Sequence, residues 1–339
     1  MKKSVDFPLV SVLIMTKNRI RLFKRNLKSI LNQSYPNFEV IILDNGSIDG
    51  TKEYLSQIKE INYYYKEGYN LAKNRQFLVD KSKGDYLLFL DDDCEPPENW
   101  INIIVQRFES DENIGIIGCS IKNIGFEGIS LKGRGILIKN CLYKSVEDFS
   151  KAEFFGGAVT SIRRKIFELS GGYDEYFNLG YEEVDISLKC KFLKKKIIHE
   201  PRVIINHYYN PYNFRGYNIF KNVNSARLYC FFKYFPPITL KHWILFLINE
   251  LSFIFGELKV LIRAFGKKNF KNQSLKNNKT IKPKKKRSLK EYIQILKDEI
   301  IKFSFFSVIF LFPLYHFRAQ RKIKKELKLR KNQIIRLEI

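Results

Sequence analysis

Short, nearly continuous apolar runs alternate along the first 90 residues with stretches that are apolar on one face only. Residues 9–15 (LVSVLIM), 38–43 (FEVIIL) and 85–90 (DYLLFL) are rich in branched aliphatic side chains, which predicts strands covered on both faces. Residues 61–65 predict a further strand. Between these runs the period changes. Leu22, Phe23, Leu27, Ile30 and Leu31 fall on one stripe of a helix over 21–33. Residues 49–59 read as a second helix, and 70–82 as a third with Leu71, Phe77 and Leu78 inward, stopped by Gly84. Strand and helix alternate at the lengths of βαβ crossovers. This predicts an α/β fold with a mostly parallel central sheet flanked by helices. From 115 to 160 the chain is glycine-rich and strand-like without a clear register. Residues 164–170 predict a short helix, 182–195 a longer one and 202–206 a strand.

The pattern changes after Pro236-Pro237, which sets an expected boundary between a domain over 1–236 and a helical C-terminal region over 237–339. Residues 238–265 are mostly apolar and aromatic but carry Glu250, Glu257, Lys259 and Arg263. Residues 266–290 are polar and lysine-rich, and 300–317 are apolar again. Charge sharpens this division. The chain has 60 basic and 35 acidic residues, a net charge of +25, but 237–339 alone hold 25 Lys/Arg against 7 Asp/Glu, leaving 1–236 at +7. Neither apolar segment is a clean membrane span. Aromatic-rich apolar stretches beside lysine runs fit helices lying on an anionic membrane surface, and fit equally a helical subdomain packed on the rest. Because the excess charge lies in the tail, nucleic acid is not favoured as partner. The five cysteines are odd in number and include no C-x-x-C pair, which argues against a disulfide framework or zinc site and fits a reducing compartment. The N-terminus has no signal-peptide pattern. The expected location is cytoplasmic, at the inner face of the membrane if the tail binds lipid.

In a parallel sheet, ligands bind outside the carboxyl ends of the strands. The chemistry-bearing residues fall there: Thr16, Asn18 and Arg19 after the first strand, Asp44 and Asn45 after the second, and Asp91, Asp92 and Asp93 after the run LLFL. Three adjacent carboxylates repel one another unless they are solvated or neutralised by a cation, and an all-oxygen set suits Mg2+ or Mn2+. A second acidic cluster, Glu182, Glu183 and Asp185, opens a predicted helix. The helix dipole favours acids there without any function, but one of them at a cleft could be a general base. His207, after an apolar strand, becomes an extra ligand or phosphate contact if a carboxylate-held metal lies nearby. There is no G-x-G-x-x-G after the first strand, no P-loop and no G-x-S-x-G elbow. A Rossmann dehydrogenase, a P-loop NTPase and a serine hydrolase each lose their main support.

These pieces in this order resemble glycosyltransferase family 2, with the GT-A nucleotide-diphospho-sugar transferase fold. The resemblance is carried by VSVLIMTKNR at 10–19, VIILDNGSIDGT at 40–51, NLAKNR at 70–75, GDYLLFLDDDCEPPENW at 84–100, Gly156-Gly157, GGYDEYF at 171–177, YEEVDISLK at 181–189 and INHYY at 205–209. It covers about 8–235 and is most similar to the bacterial rhamnosyltransferase-like branch. It implies an inverting transfer from a nucleoside-diphosphate sugar of UDP or dTDP type to a glycan or lipid-linked acceptor. Thr16, Asn18, Arg19, Asp44, Asn74, Asp91, Asp92 and Gly157 would then bind the nucleotide sugar. Asp93, Asp91 and His207 would hold the metal, Glu183 or Glu182 would be the catalytic base, and Asp185 would lie on the acceptor side. Two departures stand out. The catalytic aspartate of the family's E-D pair is here Glu183, and Lys73 stands where the family often has arginine. The competing expectation is an inactive scaffold of the same fold, or a polyanion- or membrane-binding protein.

Overall fold

A computed structural model describes residues 7–252, apart from 69, 125–133, 138–140, 147, 179, 209–215 and 236–240. The described residues fall into two compact units. One comprises 7–137 and 143–226, and the other 141–142 and 227–252.

The first unit is built on an eight-stranded mixed sheet whose strands lie in the order Asn62–Tyr65, Phe38–Asp44, Val10–Thr16, Tyr86–Asp91, Thr160–Arg163, Ile114–Asn123, Lys196–His207 and Cys94–Glu95. Its first half follows the apolar pattern: β1 (Val10–Thr16), α1 (Ile20–Leu31), β2 (Phe38–Asp44), α2 (Thr51–Leu55), β3 (Asn62–Tyr65), α3 (Leu71–Lys81) and β4 (Tyr86–Asp91). The strand pairs β3-β2, β2-β1 and β1-β4 are parallel. β1 and β4 are buried along nearly their whole length, as expected of strands covered on both faces. Each fully buried Leu, Ile or Val contributes about 1.5–3 kcal/mol relative to exposure, and Val12, Ile14, Ile42 and Leu88 have essentially no exposed surface.

The structure departs from expectation in several places. The second helix closes after Leu55, because the chain must reach β3 at Asn62. A helix absent from the expectations, α4 (Trp100–Glu109), follows the two-residue β5 (Cys94–Glu95) and buries Trp100, Ile101, Ile104, Val105 and Phe108, a helical spacing. The glycine-rich stretch resolves into β6 (Ile114–Asn123), a small three-stranded sheet of β7 (Arg134–Leu137), β8 (Tyr143–Ser145) and β9 (Phe154–Phe155), and then β10 (Thr160–Arg163). β10 runs antiparallel between β4 and β6, so the sheet is more mixed than the crossover pattern implied. Gly118 in β6 is required by close approach, since a Cβ there would lie 1.9 Å from the Phe155 ring.

After α5 (Arg164–Leu169), α6 (Glu182–Phe192) leads into β11 (Lys196–His207). β11 is far longer than the predicted 202–206. Its register against β6 shifts between Glu200 and Ile204, and that irregularity admits Pro201, which interrupts the apolar run in the sequence.

Helix α7 (Gly216–Tyr234) contributes its last turns to the second unit. There Phe231 stacks on Phe246 with ring centroids 4.9 Å apart, and Phe232 meets the same ring edge-on at 5.4 Å. Arg227 grips Glu250 with two bonds of 2.7 and 2.6 Å in a buried pair. No helix among the described residues is long and apolar enough to cross a membrane. The expectations placed on 253–265, 266–290 and 300–317 lie outside the described residues.

Candidate active site

Strand register assembles the site. Thr16 lies opposite Asp44, and Met15 opposite Asp91, so the ends of β1, β2 and β4 meet along one edge of the sheet. The loops that follow are tied to each other. Asn18 adopts a left-handed φ of 54°. Its amide donates to Ser47 Oγ at 2.9 Å, and its own Oδ1 accepts from the Ile48 amide at 2.8 Å. Asp44 is fully buried, with Oδ1 accepting from the Ser47 amide and Oδ2 from the Tyr63 hydroxyl at 3.1 Å. Asn74, on the inward face of α3, donates to Asn45 Oδ1 at 2.8 Å.

The acidic triplet forms one corner of the site. Asp92 points into the protein, where the Thr16 hydroxyl donates to it at 2.7 Å and Asn26 holds its backbone carbonyl at 2.8 Å. Burial pushes the Asp92 carboxyl up to about 6, against the pull of Arg19. Arg19 Nη1 bonds Asp92 at 2.8 Å and Asp93 at 2.6 Å. Burial disfavours this guanidinium's charge, but the two carboxylates outweigh that and hold it above its ordinary value.

His207 reaches the same corner because β5 pairs antiparallel with the end of β11, placing His207 beside Cys94. Its Nε2 lies 3.3 Å from Asp93 Oδ1, and its Nδ1 is 2.7 Å from Asn123 Oδ1. Burial alone would raise the Asp93 carboxyl, yet His207 and Arg19 hold it below the ordinary range.

This corner fits a divalent cation. Asp93 Oδ1 is buried without a hydrogen-bond partner, and it faces an imidazole nitrogen that a neighbouring amide orients. Cys94 is the third residue whose ligand atom lies within 4.8 Å of both. Burial drives its thiol well above the usual range, so the thiolate a metal needs is disfavoured and the donors are oxygen and nitrogen. Asp91, expected among the ligands, is not in this group.

The second corner is built on the start of α6. Tyr181 takes a left-handed φ of 69° just before the helix, and Glu182, Glu183 and Asp185 occupy its first turn, where the helix dipole favours negative charge. Glu182 has no exposed surface, whereas the Glu183 side chain keeps 20% of its own. Arg75 Nη1 reaches both, at 2.7 Å to Glu182 Oε1 and 3.4 Å to Glu183 Oε1. The Gly157 amide donates to Glu183 Oε1 at 2.9 Å. Burial and the charge of Glu183 push the Glu182 carboxyl well up. Glu183 lies below its ordinary value because Arg75 overcomes the effect of burial. Asp185 is fully buried and paired with Lys189 at 2.9 Å, while the same Lys189 donates to the Gly172 carbonyl. That carboxylate braces the fold and has no open side toward an acceptor.

Two groups in the site were not anticipated. Arg75 lies between Leu71 and Leu78 on the inward stripe of α3, and a charged residue at a core-facing position was the available signal. Asn26 is likewise buried on the apolar face of α1.

Residues 11–170 match the model of the family described as Glycosyl transferase family 2. This part of the chain belongs to glycosyl transferase family 2. Among curated relatives, the chain is 27% identical over 178 residues to a GalNAc(5)-diNAcBac-PP-undecaprenol beta-1,3-glucosyltransferase of Campylobacter jejuni, covering 50% of this chain and 56% of that one. It is 28% identical over 254 residues to a probable N-acetylgalactosaminyltransferase 9 of Caenorhabditis elegans, covering 64% of this chain and 43% of the other. The chain thus spans about half the length of these relatives. Its fold is GT-A: the crystal structure of GalNAc-T7 with UDP, GalNAc and Mn2+ superposes with a TM-score of 0.58 at 21% identity, over 67% of this chain and 48% of that one.

Proposed function

We propose that this family 2 protein is an inverting glycosyltransferase, moving a sugar from a nucleoside diphosphate to an acceptor hydroxyl on a glycan or lipid-linked carrier. The carrying observation is the pair of corners on one sheet edge: a cation-suited carboxylate and imidazole at Asp93 and His207, and a partly exposed carboxylate at Glu183 that Arg75 holds below its ordinary value. Asp93 and His207 would hold Mg2+ or Mn2+, which when bound would neutralise charge on the departing diphosphate. Thr16, Asn18, Asp44 and Asn74 line the strand ends where the nucleotide would rest, with Asp44 as the base-reading carboxylate. Glu183 takes the proton from the acceptor hydroxyl. The acceptor oxygen bonds to the anomeric carbon from the face opposite the donor's C–O bond, which breaks, and the electron pair leaves with the nucleoside diphosphate. One displacement inverts the anomeric configuration and needs no protein nucleophile.

A thermal-stabilisation series with UDP, dTDP and GDP sugars in Mn2+, Mg2+ or EDTA tests this reading, since a ligand that binds only the folded state raises Tm. A metal-dependent rise with one nucleotide, followed by sugar transfer with that donor, is the expected result. A folded sample that responds to no nucleotide sugar would favour the scaffold reading.

We extend the proposal to an anionic membrane surface as the place of action. Ile244, Leu245, Ile248 and Leu251 on the helical residues 241–252 are each about half exposed, between 47% and 53%, and fall on one arc with Lys241. They belong to the stretch with 25 basic and 7 acidic residues. Co-sedimentation with phosphatidylglycerol vesicles but not with phosphatidylcholine vesicles is expected, and it should weaken in Ile248→Asp. Equal recovery in the supernatant with both lipids would remove the membrane from the proposal.

A further inference from the structure

The arrangement around Arg75 decides a question that the paired glutamates leave open, namely which of them is the base. One guanidinium and two carboxyl groups share a largely enclosed space, in which only Glu183 keeps contact with solvent. Arg75 is only 5% exposed and Glu182 not at all. The Phe89 ring lies 5.9 Å from the guanidinium. The enclosure closes over Gly157, where a Cβ would stand 1.8 Å from Arg75 Nη2.

With both carboxyls ionised, this space would hold a net negative charge out of water, which is costly. With one proton shared between them it is neutral, the solution reached by buried carboxyl pairs in general. The two sites are not equivalent. Glu183 has the Gly157 amide, a share of Arg75 and some solvent. Glu182 has the shorter bond to Arg75, which by itself would favour its ionised form, but that bond goes to Oε1 alone. Its Oε2 is buried with no hydrogen-bond partner, so nothing there offsets the cost of a negative charge, and the neutral carboxyl is the cheaper form to bury. Solvent access and the amide outweigh the shorter contact.

We propose that Arg75 is a positioning residue: by bridging the two glutamates, with the Gly157 amide as second clamp, it keeps the shared proton on Glu182 and leaves Glu183 as the one ionised carboxylate able to act as base. This rests on the transferase reading for its role in catalysis, but not for its existence. It also explains how a glutamate serves where the family resemblance leads one to expect aspartate. The extra methylene would let the carboxylate wander, and two donors on Oε1 fix it. The other ionisable groups facing the cluster are Tyr143 on β8, Tyr173, and Asp91 at the end of β4, which acts on Arg75 through space. The phenols stay neutral at working pH because burial raises both.

The test is a carboxyl titration of the full chain carrying glutamate labelled with carbon-13 at Cδ, without donor or acceptor. In the unmodified protein one glutamate should show the shift of a protonated carboxyl at neutral pH. That signal should vanish in Glu182→Gln, whereas in Glu183→Gln the Glu182 resonance should remain and its titration should move downward, because the neighbouring charge that raises it is gone. In Arg75→Gln the Glu183 titration should move upward by about one pH unit or more, the scale of losing a neighbouring opposite charge. Arg75→Lys, which keeps the charge, should restore part of that shift. If Arg75→Gln does not fold, Arg75→Lys and Glu182→Gln carry the test. Two ionised glutamates at neutral pH in the unmodified chain, or a Glu183 titration unmoved in folded Arg75→Gln, would overturn the proposal.

The pH dependence of kcat/KM with a donor found by the stabilisation series provides the second arm. Its acid limb should follow the titration of Glu183 in both Arg75 variants. A shifted titration in a protein that transfers no sugar would leave the Arg75 assignment standing and remove the transferase reading. Transfer with an acid limb insensitive to Arg75 would do the reverse.

Discussion

The two corners of the site use the same components to different ends. Each sets one arginine between two carboxylates: Arg19 between Asp92 and Asp93, and Arg75 between Glu182 and Glu183. They differ in enclosure. The Arg19 side chain is 23% exposed and stands at the mouth of the corner, and Asp93 beside it has a buried oxygen without a hydrogen-bond partner. Arg75 is 5% exposed, and its corner is closed by a glycine that admits no side chain. An ion pair near water can exchange one partner for another at small cost. A sealed one cannot, because removing a partner strands a buried charge. The first corner therefore suits a cation, whereas the second suits one carboxylate held in one place.

The largest effect that would test this contrast is chemical. Glu183→Gln removes the proton acceptor while keeping the size of the side chain, so transfer should fall by about 10²–10⁴, while nucleotide-sugar binding, followed by calorimetry, stays near that of the unmodified chain. Undiminished turnover would move the base elsewhere.

The open corner is probed by Asp93→Ala. The metal-dependent part of the nucleotide-induced Tm shift should disappear, with Mn2+ affinity down by about 100-fold, the upper end of what losing even a supporting group costs. A shift that still depends on metal would mean that other residues hold the ion.

Smaller in free energy is Gly157→Ala, where the new methyl meets Arg75 and something must give. Overpacking of this kind costs about 1–3 kcal/mol, readable by urea unfolding. A cost near zero would mean that the corner is less tightly closed than described.

The smallest effect is on pH dependence. Glu182 titrates above its ordinary value because it is buried beside Glu183. As pH rises through the ordinary glutamate range, the unfolded chain releases this proton before the folded one does, so the folded state loses stability relative to the unfolded. Glu182→Gln has no proton to release. Its Tm should therefore gain on the unmodified protein as pH rises above the ordinary glutamate range. A gap that narrows over that range would reverse the assignment of the proton.

How much of this was legible depends on sequence distance. Strand ends are local facts. An apolar run followed by Thr16, by Asp44 or by Asp91–Asp93 places those residues at the carboxyl edge of a parallel sheet, because period and run length alone determine strand and exit. The acidic first turn of α6 and the motif order were equally local, and the family resemblance rested on them. The misses were of two kinds. α4 had a helical spacing that went unassigned, and β11 was shortened because Pro201 and its charged neighbours hid a strand that continues through an irregularity in register.

What the sequence by itself determined is which residues stand at the edge and what chemistry they carry. What only the tertiary structure decided is their pairing. Arg75 meets Glu182 across 107 positions, and Arg19 meets Asp93 across 74. The tie between His207 and the acidic triplet depends on a two-residue antiparallel strand that no local pattern announces. Whether Asp185 is a working acid or a structural one, and which glutamate keeps its proton, are set by exposure and by the donors that arrive from elsewhere in the chain. A carboxylate's charge depends on its surroundings, and those exist only once the sheet has brought distant segments together.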